Sequence, residues 1–186
     1  MTETTTVAIQ WGVVIGASLV AAVTDIRTRR IPNVLSGTLF LAGLLWSLDN
    51  NGLKGLPGTL AAAVILSLPF VFLFLFAGGG AGDAKLTGAI GAWLSVNESF
   101  TALVCICLAG GALGLIVAVR EKKLKIVLTN LIFLILDLVR AGIIRKEKII
   151  KSGETAQAQQ GEKLTMPYGV AICAGLCAAG AIIWLR

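Results

Sequence analysis

Long runs of apolar residues alternate with short polar or charged segments along the whole chain. Six of these runs are candidate membrane spans: residues 7–24, 34–48, 56–77, 84–96, 100–119 and 164–185. A helix needs about 20 predominantly apolar residues to cross the hydrocarbon core of a bilayer. The pattern therefore predicts an all-α, polytopic membrane protein with about six transmembrane helices. The six runs leave little room for anything else, so residues 1–186 are predicted to form a single integral-membrane domain.

The fourth run differs from the other five because it is short. As a helix, its apolar part at 86–96 extends about 16 Å, whereas the hydrocarbon core is about 30 Å thick. Two explanations are compatible with this length. Either the bilayer is thinned at this helix, or the helix begins inside the protein, behind the glycine-rich segment that precedes it.

Positive charges are distributed unevenly between the polar segments. Fourteen of the sixteen Lys and Arg residues fall in 25–33, 77–85 and 120–163, which follow the first, third and fifth runs. Lys and Arg concentrate in cytoplasmic loops, so we predict an N-out/C-out arrangement with a basic cytoplasmic excursion between spans five and six. The first run lacks the basic start of a signal peptide, and we interpret it as a retained span. Because topology accounts for the net charge of +6, no nucleic-acid partner is expected.

Residues 126–144 introduce one ambiguity into this topology. The apolar part at 126–139 has 14 residues, contains Asn130 and Asp137, and is flanked by basic segments. A seventh span here would also export the basic segment 145–163. We therefore interpret 120–163 as cytoplasmic or interfacial, with an amphipathic helix lying on the membrane surface, and keep a seventh span as the alternative.

The absence of histidine restricts the available chemistry. It excludes a Ser-His-Asp triad, a Cys-His nucleophile pair and a His-Glu-x-x-His zinc site. The four cysteines lie inside apolar runs and form no Cys-x-x-Cys pair, which is typical of small buried side chains. We predict no metal site and no cofactor, so acid–base chemistry depends largely on the ten Asp and Glu residues.

Two carboxylates stand out by position, since Asp25 ends the first span and Asp83 opens the fourth. The predicted topology puts both at the cytoplasmic face, where they can approach each other. Two close carboxylates share one proton, so one can deprotonate a water molecule while the other donates to a carbonyl oxygen. Gly80 and Gly82 predict a backbone with positive φ that a peptide can approach closely. Taken singly, Asp83 is also compatible with a helix cap, and Asp25 with a residue of a juxtamembrane loop.

Three segments together resemble the type IV prepilin peptidases. Residues 25–33, Asp-Ile-Arg-Thr-Arg-Arg-Ile-Pro-Asn, resemble the first aspartate motif of that family. Residues 80–85, Gly-Ala-Gly-Asp-Ala-Lys, resemble its Gly-x-Gly-Asp motif with the following lysine, and Pro-Tyr-Gly at 167–169 is similar to its C-terminal segment. The segments occur in the family's order, and the six-span layout covers essentially the whole chain.

The resemblance implies an intramembrane aspartic endopeptidase of the plasma membrane, with Asp25 and Asp83 as the catalytic pair at the cytoplasmic face. The substrate would be a prepilin- or pseudopilin-like subunit that loses a short basic leader after a glycine, just before its hydrophobic helix. Residues that would support the site are Gly80, Gly82, Lys85, Arg27, Pro32 and Asn33. Pro32 is equally compatible with a helix start, and Lys85 with a topological anchor. The longer members carry a cytoplasmic domain with paired Cys-x-x-Cys motifs, which this sequence lacks, so N-methyltransferase activity is not expected.

Two other classes of function remain compatible with the sequence. A small proton- or ion-coupled transporter could use the same carboxylates as a relay, although no convincing inverted repeat is evident. A scaffold protein would need neither aspartate. For the peptidase, the fourteen positive charges on the cytoplasmic face repel a basic leader, so we expect the apolar helix of the substrate to dominate recognition. Membrane lipids are the other expected partner, and the sequence leaves the oligomeric state open.

Overall fold

A computed structural model of the protein describes residues 3–77, 80–120 and 168–185. Within these residues the regular structure is entirely helical, which confirms the all-α prediction for this part of the chain. The helices are α1 (Glu3–Thr28), α2 (Asn33–Asn51), α3 (Leu56–Ala77), α4 (Ala81–Gly91), α5 (Val96–Arg120) and α6 (Tyr168–Trp184). The predictions for residues 121–163, and for the first four residues of the sixth span, lie outside the described residues.

In the part of the chain that the structure describes, three helices are long and apolar enough to cross a membrane. They contain the segments Thr5–Thr28, Leu56–Leu75 and Val96–Val117. The last helix, α6, is apolar but has only 17 residues within the described range. The number of six spans and the N-out/C-out orientation therefore stay predictions.

The predicted fourth span, 84–96, is wrong at both ends. The helix there is Ala81–Gly91, residues 92–95 form a turn, and α5 begins at Val96 instead of residue 100. The apolar pattern continues through the turn because the turn itself is buried. The indole N–H of Trp93 donates to the carbonyl oxygen of Leu39 in α2 at 2.8 Å, and the Trp93 ring stacks on Trp46. Hydrophobicity alone therefore does not mark the end of α4.

Glycines at helix crossings let α4 and α6 pack backbone to backbone against their neighbours. A Cβ atom on Gly91 of α4 would lie 2.6 Å from Cα of Ala63 in α3. A Cβ atom on Gly175 of α6 would lie 2.5 Å from Cα of Ile106 in α5. Small residues permit such close approach between membrane helices. As a result, α3 packs closely against α4, and α6 packs between α5 and α1.

The core lies where α3, α4, α5 and α6 meet. Its largest fully buried apolar side chains are Leu66, Leu86, Ile90, Ile106, Ile172 and Leu176. Many large apolar side chains of α3 and α5 instead face outward, including Leu75 and Leu108. An apolar exterior of this kind is what a lipid-facing surface requires.

Glu98 joins α1 to α5 at one end of the bundle. Gln10 Nε2 and Trp11 Nε1 of α1 donate to its carboxylate at 3.2 Å and 3.4 Å, and the backbone N–H of Ser95 donates to it at 2.8 Å. This carboxylate caps α5 and holds α1 against it. Asp25 lies fifteen residues beyond Gln10 on α1, about 22 Å away along the helix axis, so Glu98 is remote from it.

Candidate active site

Asp25 and Asp83 lie on the last turn of α1 and the first turn of α4. Asp25 is inside α1, not at its end, because the helix continues through the polar residues to Thr28. Burial and, second, the negative charge of Asp25 raise the pKa of Asp83 from 3.8 to about 6. Asp83 lies outside the three helices of spanning length. The fold thus brings the two predicted carboxylates close enough to influence each other's charge.

Gly80 shapes the entry to α4 in a way that differs from the prediction. Its φ is −73° and its ψ 123°, and Gly82 lies inside the helix, so the expected positive φ at both glycines is wrong. Gly80 is needed for space instead. A Cβ atom there would lie 2.8 Å from Oδ2 of Asp83. The missing side chain leaves room for the Asp83 carboxylate at the helix N-terminus, where negative charge is favourable.

Gly82 allows the loop between α1 and α2 to lie against α4. A Cβ atom on Gly82 would lie 3.2 Å from Cβ of Ile31, which is tighter than an ordinary contact. The same loop begins at Arg29, whose φ of +52° reverses the chain directly after α1. Residues 29–32 therefore extend from the helix that carries Asp25 to the helix that carries Asp83. Their contact with α4 depends on glycine at position 82.

Asn33 and Lys85 form a second link between this loop and α4. The Lys85 ammonium donates to Oδ1 of Asn33 at 3.0 Å, so two predicted supporting residues contact each other directly. Pro32 occupies the N-cap position of α2 in an extended conformation, as its interpretation as a helix start predicts. Arg27 is exposed on the last turn of α1, where a positive charge favours the helix C-terminus.

Gly169 is a site residue whose role could not be predicted from the sequence. Its backbone N–H donates to Oδ2 of Asp25 at 2.9 Å, although the two residues are 144 positions apart. The sequence feature that could have pointed to Gly169 is the Pro-Tyr-Gly segment at 167–169. Pro167 itself lies outside the described residues. A local motif identifies such a segment, but it does not show which side chain the segment contacts.

A groove of about 510 Å³ lies between α2, α3 and α4. Asn33 and Lys85 line it together with small residues that include Gly37, Ala63 and Gly88. The groove is mostly apolar and adjoins Asp83 through the first turns of α4. Within 3–77, 80–120 and 168–185, no three His, Cys, Asp or Glu side chains are grouped as metal ligands.

Comparison with known proteins identifies a family for the chain. The model of the type IV leader peptidase family matches residues 12–115, which is 104 of the 186 residues. The matched region includes both aspartates and residues 29–33, and it ends before α6. No curated protein and no solved structure gives a significant match to the chain.

Proposed function

The chain belongs to the type IV leader peptidase family, and we propose that it is a membrane-embedded aspartic endopeptidase acting on prepilin-like subunits. One observation carries the aspartic mechanism. Asp83 is half-buried close to Asp25, and this environment raises its pKa to about 6. A pair of carboxylates with unequal environments can divide the roles of acid and base between them. Its long apolar helices and its family identify the protein as an integral membrane protein.

In the proposed reaction, ionised Asp25 takes a proton from a water molecule whose oxygen attacks the scissile carbonyl carbon. Asp83 donates its proton to the carbonyl oxygen, which gives a neutral tetrahedral intermediate. On collapse, Asp83 takes back the hydroxyl proton, and Asp25 gives its new proton to the departing amine. The peptide C–N bond breaks, and both carboxyl groups return to their starting states. Neither a nucleophilic side chain nor a metal is required.

The proposed substrate has a short basic leader, a glycine before the scissile bond and an apolar helix after it. In the proposed topology, the single domain of six spans holds Asp25 and Asp83 at the cytoplasmic face of the plasma membrane. The leader then meets the carboxylates, and the substrate's helix lies in the bilayer beside the spans. Gly80, Gly82, Lys85, Asn33, Pro32 and Arg27 are proposed to support this site.

Cleavage by the purified full-length protein in liposomes tests this function directly. The substrate is a fusion of a basic leader, a glycine and an apolar helix, and mass spectrometry locates the bond that is cut. We expect a single cut after the glycine and no cut in a fusion whose glycine is replaced by Val. Aspartate-dependent proton flux into the same liposomes without any peptide product would contradict the peptidase and favour a transporter.

The rate of cleavage is expected to decline as the pH rises past the pKa of Asp83, which is about 6. Asp83 must carry a proton to act as the acid, and its raised pKa keeps it protonated at a higher pH than an ordinary Asp. Above the pKa both carboxylates are ionised, so the acid is lost. Measuring kcat between about pH 5 and pH 8 checks this alkaline limb. A kcat that rises steadily across this range would contradict the assignment of Asp83 as the acid.

A further inference from the structure

One contact to the aspartate pair comes from α6, which lies outside residues 12–115 matched by the family model. The backbone N–H of Gly169 donates to Oδ2 of Asp25 at 2.9 Å. Gly169 is the second residue of α6. The first four N–H groups of a helix have no acceptor within it. Asp25 therefore accepts a hydrogen bond from a helix N-terminus, which also favours negative charge.

Only glycine fits at position 169 without displacing Asp25. A Cβ atom there would lie 3.0 Å from Cβ of Asp25 and 3.2 Å from Cα of Ala22, both on α1. Gly169 is itself buried against α1. The hydrogen bond can therefore form only because α6 lies so close to α1 at this point. A side chain at 169 would separate the two helices at the carboxylate.

The first turn of α6 also faces the other aspartate. Tyr168, the residue before Gly169, interacts electrostatically with Asp83. The two members of the pair meet different surroundings, because Asp25 accepts the N–H of Gly169 while burial raises the pKa of Asp83. This difference is what a water-activating pair needs to keep its base and its acid distinct.

We propose that Gly169 is a positioning residue, whose N–H orients the carboxylate of Asp25 for its role as the base of the pair. The first turn of α6 is then a third element of the active site, in addition to the two aspartate motifs. This contact orients Asp25 as the base, while the burial of Asp83 favours its role as the acid. The inference rests on the proposed peptidase function and adds to it the origin of the two roles.

Replacing the amide at position 169 by an ester tests the inference, because the ester removes the N–H and adds no side chain. Glycolic acid is introduced at position 169 of the full-length protein, and cleavage of the leader fusion is measured in liposomes. We expect kcat to fall about ten- to a hundredfold, as for loss of a hydrogen bond to a charged group, with KM unchanged. Loss of a residue with only a structural role would not lower kcat while leaving KM unchanged.

Gly169→Ala and Gly180→Ala provide a matched pair of side-chain variants. Both glycines are on α6 and face α1, since a Cβ atom on Gly180 would lie 3.1 Å from Cε3 of Trp11. The methyl group at 169 would meet Cα of Ala22 and Cβ of Asp25, and the one at 180 would meet the Trp11 side chain, so Gly180→Ala controls for an added methyl group between α6 and α1 away from the carboxylate. We expect Gly169→Ala to lose kcat as the ester does, and Gly180→Ala to retain the kcat of the wild type.

Three outcomes would overturn the inference. An ester variant with the kcat of the wild type would show that the N–H of residue 169 does not contribute to the catalytic role of Asp25. Equal losses of kcat in Gly169→Ala and Gly180→Ala would show that the glycine serves packing alone. A wild-type protein that fails to cleave the fusion would overturn the proposed function itself, and the positioning role with it.

Discussion

Replacing either Asp25 or Asp83 by Asn is expected to reduce leader removal about 10²- to 10⁴-fold, while the protein still inserts and folds. Asn has nearly the shape of Asp, and its carbonyl oxygen can still accept the Gly169 N–H at position 25. It cannot take up a proton from water, however, and it cannot supply a carboxyl proton to the carbonyl oxygen. The loss is therefore chemical, and the folded structure should be retained.

Stability separates this chemical loss from misfolding. The folded state raises the pKa of Asp83 above its ordinary value of 3.8, so the native protein binds this proton more tightly than the unfolded chain does. The associated stability is present below about pH 4 and is lost as the pH rises through about 6. Because Asn is neutral throughout, Asp83→Asn should be at least as stable as the wild type at neutral pH. Thermal unfolding in detergent micelles measures this directly.

Asp49→Asn is the matched control, since Asp49 is exposed near the far end of α2. It makes the same chemical change away from the aspartate pair, and we expect wild-type kcat and KM. Full cleavage by Asp25→Asn or by Asp83→Asn would contradict the proposed mechanism. Equal loss in the Asp49 variant would point to a general effect of the substitution on insertion.

Gly91→Ala is expected to lower both the stability of the protein and its rate of cleavage. The new methyl group would lie 2.6 Å from Cα of Ala63 and 2.7 Å from the carbonyl oxygen of Ala62, so it meets the backbone of α3. Backbone cannot move aside as a flexible side chain does. We expect the free energy of unfolding to fall by about 1–3 kcal/mol, as in other overpacked cores.

The effect on cleavage follows from the position of Gly91 at the end of α4, the short helix that also carries Asp83. A shift of α4 away from α3 would move Asp83 relative to Asp25. A displacement of about 1 Å can cost about 100-fold in rate. The comparison is Gly58→Ala on α3, where an added Cβ atom meets nothing within 4 Å and should change neither property. A Gly91→Ala protein with wild-type stability and kcat would show that the α3–α4 contact does not fix the aspartate.

The sequence predicted the two aspartates as candidate catalytic residues because of features within their own segments. Asp25 and Asp83 are conspicuous because carboxylates at the ends of apolar runs are rare and costly. The structure brings the last turn of α1 and the first turn of α4 close enough for the charge of Asp25 to act on Asp83, and it places Ile31 of the loop 29–32 against Gly82. Asn33 and Lys85, named only through their motifs, meet in a hydrogen bond that no local pattern describes.

Two predictions were wrong because hydrophobicity and residue type do not specify backbone geometry. The apolar run 84–96 contains a helix end and a turn, since the turn is buried as deeply as the helix before it. Gly80 and Gly82 were predicted to provide positive φ, whereas they provide space for the Asp83 carboxylate and for Ile31. Glycine in a sequence permits both uses, and only the neighbouring atoms show which applies.

By itself, the sequence predicted helices in the described part of the chain, several of them apolar enough for a membrane, and it singled out two carboxylates as candidates for the chemistry. These properties follow from composition and periodicity within one segment at a time. Only the tertiary structure decided that Gly169 meets Asp25, that Gly91 meets α3, and that Gly58 meets nothing. A contact between residues 144 positions apart depends on how the helices cross. Nearly every residue has the same backbone N–H group, so only the packing of the helices determines which N–H lies next to the carboxylate.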